Sequence, residues 1–366
     1  MFQKNFMPGP TQVRPEILAE MARPPIHHRG PAMKRLLAGT VPRLRDLFGV
    51  ERGSGHKVVL TTSSSTAMME AALLTTVPRG GRVLNLICGA FSERWHEIAR
   101  RHGREAVPLR VEWGAATRPE DVRDALSGGG EAFDAVTLVH NETSTGVLNP
   151  LAEIAEAVHE HPDVLLLVDA VSSLGGVPVE VEENGIDVCL SGSQKCLALP
   201  PGLGLGILSP GALHRAGGNP DRGFYLDLLR CVESMEKGQL PFTASSAHLL
   251  ALDRQLRDIE RETLDARYER HRRMAAHVRG WAGSRFSLLV EERFASPTVT
   301  AVEVPPPPDF NLPGLYSSLE NEGVLIAGGY GKLRENTFRI GHMGDWTVAD
   351  VVELTDIIDR KLEDLR

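Results

Sequence analysis

A lysine after one apolar run and an aspartate at the end of another are the residues of this chain best suited to act together. Lys195 stands in Leu190-Ser191-Gly192-Ser193-Gln194-Lys195-Cys196, 26 positions after Asp169, which ends Val164-Leu165-Leu166-Leu167-Val168. An amine and a carboxylate at strand ends are the two groups that pyridoxal 5'-phosphate requires. The amine holds the aldehyde as a Schiff base, and the carboxylate keeps the ring nitrogen protonated so that the ring draws electrons from a bound substrate. Once displaced by the substrate's amine, such a lysine becomes the general base that moves a proton. Partial burial beside other cations would lower its basicity for that task. Taken one at a time, each residue has a plainer reading: Lys195 as a solvated loop residue, Asp169 as a turn cap with Ser172 and Ser173.

A third feature offers a place for a phosphate. Thr61-Thr62-Ser63-Ser64-Ser65-Thr66 leaves a strand and enters the helical run Ala67 to Leu74. Unpaired backbone N–H groups, the positive helix end and several hydroxyls converge there, which is what a phosphate dianion needs. The same residues also make an ordinary Ser/Thr N-cap.

These groups need a sheet to position them. Short apolar runs at residues 58–60, 82–88, 106–111, 135–140, 164–168, 188–191 and 205–208 alternate with helical patterns at 66–76, 92–101, 119–125 and 151–160. Strands separated by helices imply a parallel sheet, and nearly continuous apolar strands imply cover on both faces. Asp169 then lies at the sheet edge where α/β folds bind ligands. Helical spacing at 16–21 and 32–48 precedes the sheet. A long helical pattern from Ala247 towards Trp281, with Leu249, Leu252, Leu256 and Ile259 on one face, bridges to a smaller α/β unit. That unit has strands at 298–304, 324–326 and 337–340 and helices at 313–322 and 348–365, with Pro305 to Pro308 as a stiff loop. The expected organisation is an arm at 1–20 associated with the small domain, a large domain at 21–255 and a small C-terminal domain at 256–366.

Composition narrows the function classes. With 366 residues, 42% of them hydrophobic, the chain can bury a large core. A net charge of -8 with both signs interspersed argues against nucleic-acid binding. The first ten residues contain no apolar block long enough for a signal peptide, and no segment approaches a membrane span. Cys88, Cys189, Cys196 and Cys231 show no CxxC spacing, so reduced thiols in a cytoplasmic protein are the simpler account. No His, Cys, Asp and Glu spacing resembles a zinc site, and no metal is expected.

Asp169-Ala170-Val171-Ser172-Ser173-Leu174-Gly175-Gly176 together with Ser191-Gly192-Ser193-Gln194-Lys195 resembles the class V aminotransferases, in the branch of alanine-glyoxylate and serine-glyoxylate or serine-pyruvate aminotransferases. Pro8-Gly9-Pro10-Thr11, the run His140-Asn141-Glu142-Thr143-Ser144-Thr145-Gly146-Val147 and Phe338-Arg339-Ile340-Gly341 extend the likeness over nearly the whole chain. The resemblance implies fold type I of the pyridoxal-phosphate-dependent transferases, an α/β fold whose large domain carries a mainly parallel seven-stranded sheet. It further implies that Ser64, Ser65, Thr66 and Gln194 meet the phosphate and that Phe91 stacks on the ring with Val171 behind it. Ser144 would lie near the ring hydroxyl, and Arg339 would clamp the substrate carboxylate. Thr243 would reach the phosphate of a neighbouring subunit, which makes the expected assembly a homodimer with shared sites. Leu240 stands where some relatives have a tyrosine. His27-His28-Arg29 is open between two readings, with His28 and Arg29 either lining the substrate entrance or decorating the surface.

The expected function is a transaminase that moves an amino group from a small amino acid, alanine or serine, to glyoxylate or pyruvate by a ping-pong mechanism. An aspartate or 2-aminoethylphosphonate aminotransferase is the alternative on the same fold. A cysteine desulfurase would need a mobile thiol, and Cys196 directly after Lys195 is poorly placed for that. From other classes, Gly202-Leu203-Gly204-Leu205-Gly206 could belong to a nucleotide-dependent dehydrogenase, although these glycines precede a strand instead of opening a helix. A non-catalytic binding protein on the dimeric fold is the last option.

Overall fold

The computed structural model describes residues 4–306 and 309–364, so Pro307 and Pro308 of the expected proline loop lie outside the described residues. Its central sheet runs Lys57–Thr61, Gly204–Leu208, Val188–Gly192, Leu165–Asp169, Ala135–Val139, Arg82–Ile87 and Glu105–Arg110 in spatial order. All neighbours are parallel except Gly204–Leu208, which is antiparallel to both of its partners. The exception has a local cause. No helix intervenes between residues 192 and 204, and without a crossover helix a strand returns beside its predecessor in the opposite sense.

Four of these strands are buried at every position. Their side chains divide by parity between two cores. Leu166 and Val168 pack on one face with Leu44, Ile154 and Leu252, whereas Leu165 and Leu167 pack on the other with Met69, Leu73 and Trp95. A period of two with apolar residues on both faces therefore explains why these strands read as unbroken apolar runs. The glycine run belongs to this packing. A Cβ on Gly204 would lie 2.5 Å from Cγ of Met68, and one on Gly206 would lie 3.0 Å from its Cε. Helix Ser65–Thr76 thus rests directly on the Gly204–Leu208 strand, and the glycines serve helix–sheet contact, not a dinucleotide.

A second, antiparallel sheet orders Ser287–Leu288, Val299–Glu303, Thr337–Gly341 and Ala327–Gly328. Helices Leu264–Gly283, Leu312–Asn321 and Val348–Asp364 supply residues to its core, with Phe6, Phe338 and Trp346. Phe6 stacks on Trp346 at 4.1 Å, and Lys4–Asn5 pairs in parallel with Val324–Leu325. The long helical pattern after Ala247 is two helices, Ser246–Glu262 and Leu264–Gly283. Thr263, at φ 71°, separates them, and its hydroxyl caps the second by accepting from Ala266 N.

Arg267 sits where the two sheets meet and is 1% exposed. It pairs with Glu262 at 2.9 Å and Asp345 at 3.1 Å and donates to the carbonyls of Gly175 and Cys196 at 2.9 and 2.7 Å. Asp345 also accepts from Arg14 and Gln255. All four cysteines are free and buried. Among the described residues no helix is long and apolar enough to cross a membrane, and no cluster of His, Cys, Asp and Glu is placed to hold a metal ion.

Candidate active site

Asp169 is the last residue of its strand, and Lys195 follows the strand beside it. Parallel pairing of Leu165–Asp169 with Val188–Gly192 turns a long separation in sequence into adjacency at one sheet edge, where both residues line one cavity. Lys195 is 7% exposed and its Nζ donates to the carbonyl of Pro8. The N-terminal segment can come this close because residue 9 is glycine. A Cβ there would stand 2.6 Å from Nζ, and its φ of +122° is unfavourable for other residues.

Burial sets the electrostatics of the pair. It pushes the Lys195 amine down to about 8, with the Arg339 charge acting in the same direction. It also pushes the Asp169 carboxyl up to about 7, against the hydrogen bond from Val171 N at 2.7 Å and the charges of Lys195 and Arg94. Neither group has a matched ion partner among the described residues. A heterocycle with a protonated nitrogen facing Asp169 and an aldehyde facing Lys195 supplies what both lack, so the pair fits pyridoxal phosphate.

A hydroxyl-rich corner lines the same cavity. Ser64 caps helix Ser65–Thr76 by accepting from Ala67 N at 3.3 Å, so the N-cap reading holds for its side chain. Ser65 and Thr66 carry further hydroxyls: Ser65 Oγ accepts from Gln194 Nε2 at 2.9 Å, and Thr66 Oγ1 accepts from Arg94 Nη1 at 3.2 Å. Helix end, hydroxyls and the Gln194 amide together form a corner suited to a phosphate. Phe91 and Val171 both line the same cavity, with the Phe91 ring centroid 5.8 Å from Lys195 Nζ.

Ser144 is placed differently from the expectation. It is fully buried, donates to Glu142 Oε1 at 2.6 Å and accepts from Ala90 N at 3.0 Å, while Asn141 and Thr143 of the same run face the cavity. The hydroxyl is occupied in supporting Glu142, whose buried carboxylate accepts from Phe91 N and Ser92 N and so caps helix Ala90–Arg101. Arg339 stands behind Thr143, 7% exposed, with Nε donating to Gly328 O at 2.9 Å and Nη1 to Thr143 O at 3.0 Å. Burial lowers its pKa, and the Glu142 carboxylate opposes that.

Five expected residues do not line this cavity in the single chain: Ser144 and Arg339, and also Thr243, His28 and Arg29. Thr243 is exposed and borders a groove with Thr62, Tyr225 and Phe242. His28 is half-buried beside His27, Arg29 is exposed, and neither lines the cavity. Cys196 donates to Ser172 O at 3.4 Å, and burial pushes its thiol up to about 11, which removes it as a nucleophile.

Sequence reasoning missed Arg94, Glu142, Tyr330 and the approach of Pro8 and Gly9. A usable signal existed for Arg94, three residues after Phe91 on one helix and therefore on the same face. Its guanidinium lies 4.8 Å from the Phe91 ring. Tyr330 carried no signal, because the contact with Phe91 joins residues far apart in sequence.

Residues 6–227 match the family Aminotransferase class-V. An uncharacterised aminotransferase of Methanocaldococcus jannaschii is 40% identical over 98% of this chain and 92% of that one. Among solved structures, an aspartate aminotransferase of subgroup IV from Thermus thermophilus is similar with a TM-score of 0.89 and 32% identity over 100% of both chains. An alanine–glyoxylate aminotransferase from Nostoc sp. gives a TM-score of 0.91 and 30% identity over 99% of this chain and 96% of that one. The seven-stranded α/β architecture is fold type I of the pyridoxal-phosphate-dependent transferases. On sequence and fold together, this chain belongs to the class V aminotransferases.

Proposed function

We propose that the protein transfers the amino group of a small amino acid, with alanine and serine as donors, to glyoxylate or pyruvate in two half-reactions. The observation that carries this reading is the meeting in one cavity of a buried amine pushed down to about 8 and a buried carboxyl pushed up to about 7. Pyridoxal 5'-phosphate, when bound, supplies the electron sink that lets an α-proton leave. Ser65, Thr66, Gln194 and the helix end would hold its phosphate, Phe91 and Val171 would pack against its ring, and Asp169 would keep the ring nitrogen protonated. Arg339 holds the substrate α-carboxylate through a planar fork of donors. Lys195 takes the proton from the α-carbon and returns it during the transfer.

The dimer is part of the same proposal. Thr243 is exposed, and nearby Phe224 and Tyr225 present aromatic surface to solvent, Phe224 at 65% exposure. Such a patch supports a subunit contact through which Thr243 would complete a neighbour's phosphate site.

A second reading, an aspartate aminotransferase, is supported by the likeness to the Thermus protein and by Arg94 in the cavity wall. Pocket differences of one methylene or hydroxyl shift specificity by only about 1–3 kcal/mol, so the donor has to be measured. Half-reactions followed by absorbance across a donor and acceptor panel test the reading. Alanine or serine should bleach the bound chromophore and glyoxylate or pyruvate should restore it; a spectrum unmoved by every amino donor would refute transamination.

A further inference from the structure

The groups that the proposed transfer uses at the α-carbon and at the α-carboxylate are carried by different sheets, and two aromatic rings span the space between them. Lys195 Nζ lies 5.8 Å from the Phe91 ring centroid, the Phe91 ring lies 5.5 Å from that of Tyr330, and the Tyr330 ring lies 5.7 Å from the Arg339 guanidinium. Two rings at that separation are in contact and form one wall. Tyr330 does not line the cofactor cavity; it stands beyond Phe91 and Arg94, which do. Its placement follows from strand pairing, because Ala327 lies opposite Arg339 and Tyr330 comes three residues later, in Gly328-Gly329-Tyr330-Gly331.

The Tyr330 hydroxyl accepts from Arg94 Nη2 at 3.2 Å, and Arg94 is itself held by Thr66 Oγ1 at 3.2 Å and over the Phe91 ring at 4.8 Å. Next in the chain, the backbone of Gly331, at φ +56°, presses on Trp113, where a Cβ would stand 3.0 Å from the indole. Tyr330 is therefore fixed although it is 38% exposed. An amino acid with its carboxylate on Arg339 and its α-carbon in reach of Lys195 has to lie along this wall, and its side chain, which leaves the same α-carbon, meets the two rings. We infer that Tyr330 limits the size of the amino donor, so that the methyl of alanine and the hydroxymethyl of serine are accommodated whereas longer apolar side chains are refused. This rests on the transaminase reading above and adds the residue that enforces its donor class. Cutting the ring back would open the wall towards solvent without leaving a void in a core.

The test loads the wild type, Tyr330→Ala and Tyr330→Phe with pyridoxal 5'-phosphate and makes two comparisons. The first is the ratio of kcat/KM for alanine to that for leucine, with glyoxylate as acceptor. The second is calorimetric binding of propionate against 4-methylpentanoate, which carry the same side chains without the amine and need no turnover. Wild type should prefer alanine and propionate. Tyr330→Ala should move both ratios towards the larger compound by about 10- to 100-fold, and Tyr330→Phe, which keeps the ring, should stay close to wild type. Ratios unchanged in Tyr330→Ala overturn the inference, as does a wild type that accepts leucine as readily as alanine. Equal losses for both donors would make Tyr330 a contact that only joins the two sheets, and overturn it too. A wild type inert towards every amino donor would remove the transaminase reading, and the two carboxylates would then decide the size limit on their own.

Discussion

At the junction of the two sheets Arg267 is 1% exposed and is fully answered, with Glu262 and Asp345 as ion partners and two carbonyls as acceptors. In the cavity, Asp169 and Lys195 are buried to a similar degree and left without matched partners. The pKa directions record the contrast. Burial pushes the Asp345 carboxyl up, but the charges of Arg267 and Arg14 outweigh it and hold the group below its ordinary value. At Asp169 burial prevails and carries the group to about 7. Buried charge by itself therefore does not mark a site; buried charge left to be completed by a ligand does.

The sharpest way to break this comparison is Lys195→Ala. Removing the amine should lower turnover by about 1000-fold or more, measured on cofactor-loaded protein, while the thermal midpoint stays level or rises because a costly buried group is gone. A midpoint that fell as far as that of an Arg267 variant would place Lys195 among the structural charges.

Arg267→Met should show the reverse pattern. Asp345 would keep Arg14 and Gln255 but lose its buried partner, and breaking such a pair costs about 3–5 kcal/mol of stability. Denaturant unfolding would read this directly, and a loss below 1 kcal/mol would mean that the junction is not held by this network.

Asp169→Asn keeps the shape of the carboxyl but cannot hold a ring proton. Turnover should fall about 100-fold, with a blue or red shift of the bound chromophore as a second readout; unaltered turnover and spectrum would detach Asp169 from the ring nitrogen.

The smallest effect expected is in the pH dependence of stability without cofactor. Asp169 binds its proton more tightly in the folded protein, up to about 7 against an ordinary 3.8, so its contribution is complete below about pH 4 and is lost as pH rises towards 7. Asp345 has the opposite sign: its contribution is present above its ordinary value of 3.8 and is lost on acidification. Unfolding free energies between pH 4 and 7 should thus fall by at most about 1.4 kcal/mol per pH unit from Asp169, and Asp169→Asn should remove that component. A slope untouched by the substitution would contradict the raised value.

Much of the large domain was legible because its strands are buried on both faces, and an unbroken apolar run such as Leu165–Val168 leaves little else to read. The pair Asp169 and Lys195 was legible for the same reason, since each closes or follows such a run. The single antiparallel strand was less so, because its direction depends on the missing helix between residues 192 and 204 and not on its own residues. Helices Pro210–Gly218 and Leu228–Glu236 were not read, being short and mixed in composition. The break at Thr263 escaped because Leu249 to Trp281 keeps helical spacing across it. Within the site, Ser144 matched a motif whose residues alternate in direction, and only the hydrogen bond to Glu142 shows which of them turn inward. Tyr330 and Pro8 reach the cavity through contacts that no local pattern encodes.

Borohydride reduction of the protein incubated with pyridoxal 5'-phosphate, followed by peptide mapping, addresses the central claim most directly. The account predicts one pyridoxyl group, on Nζ of Lys195, in the peptide that also contains Gln194 and Cys196. Attachment to another lysine, or recovery of that peptide unmodified, would contradict it.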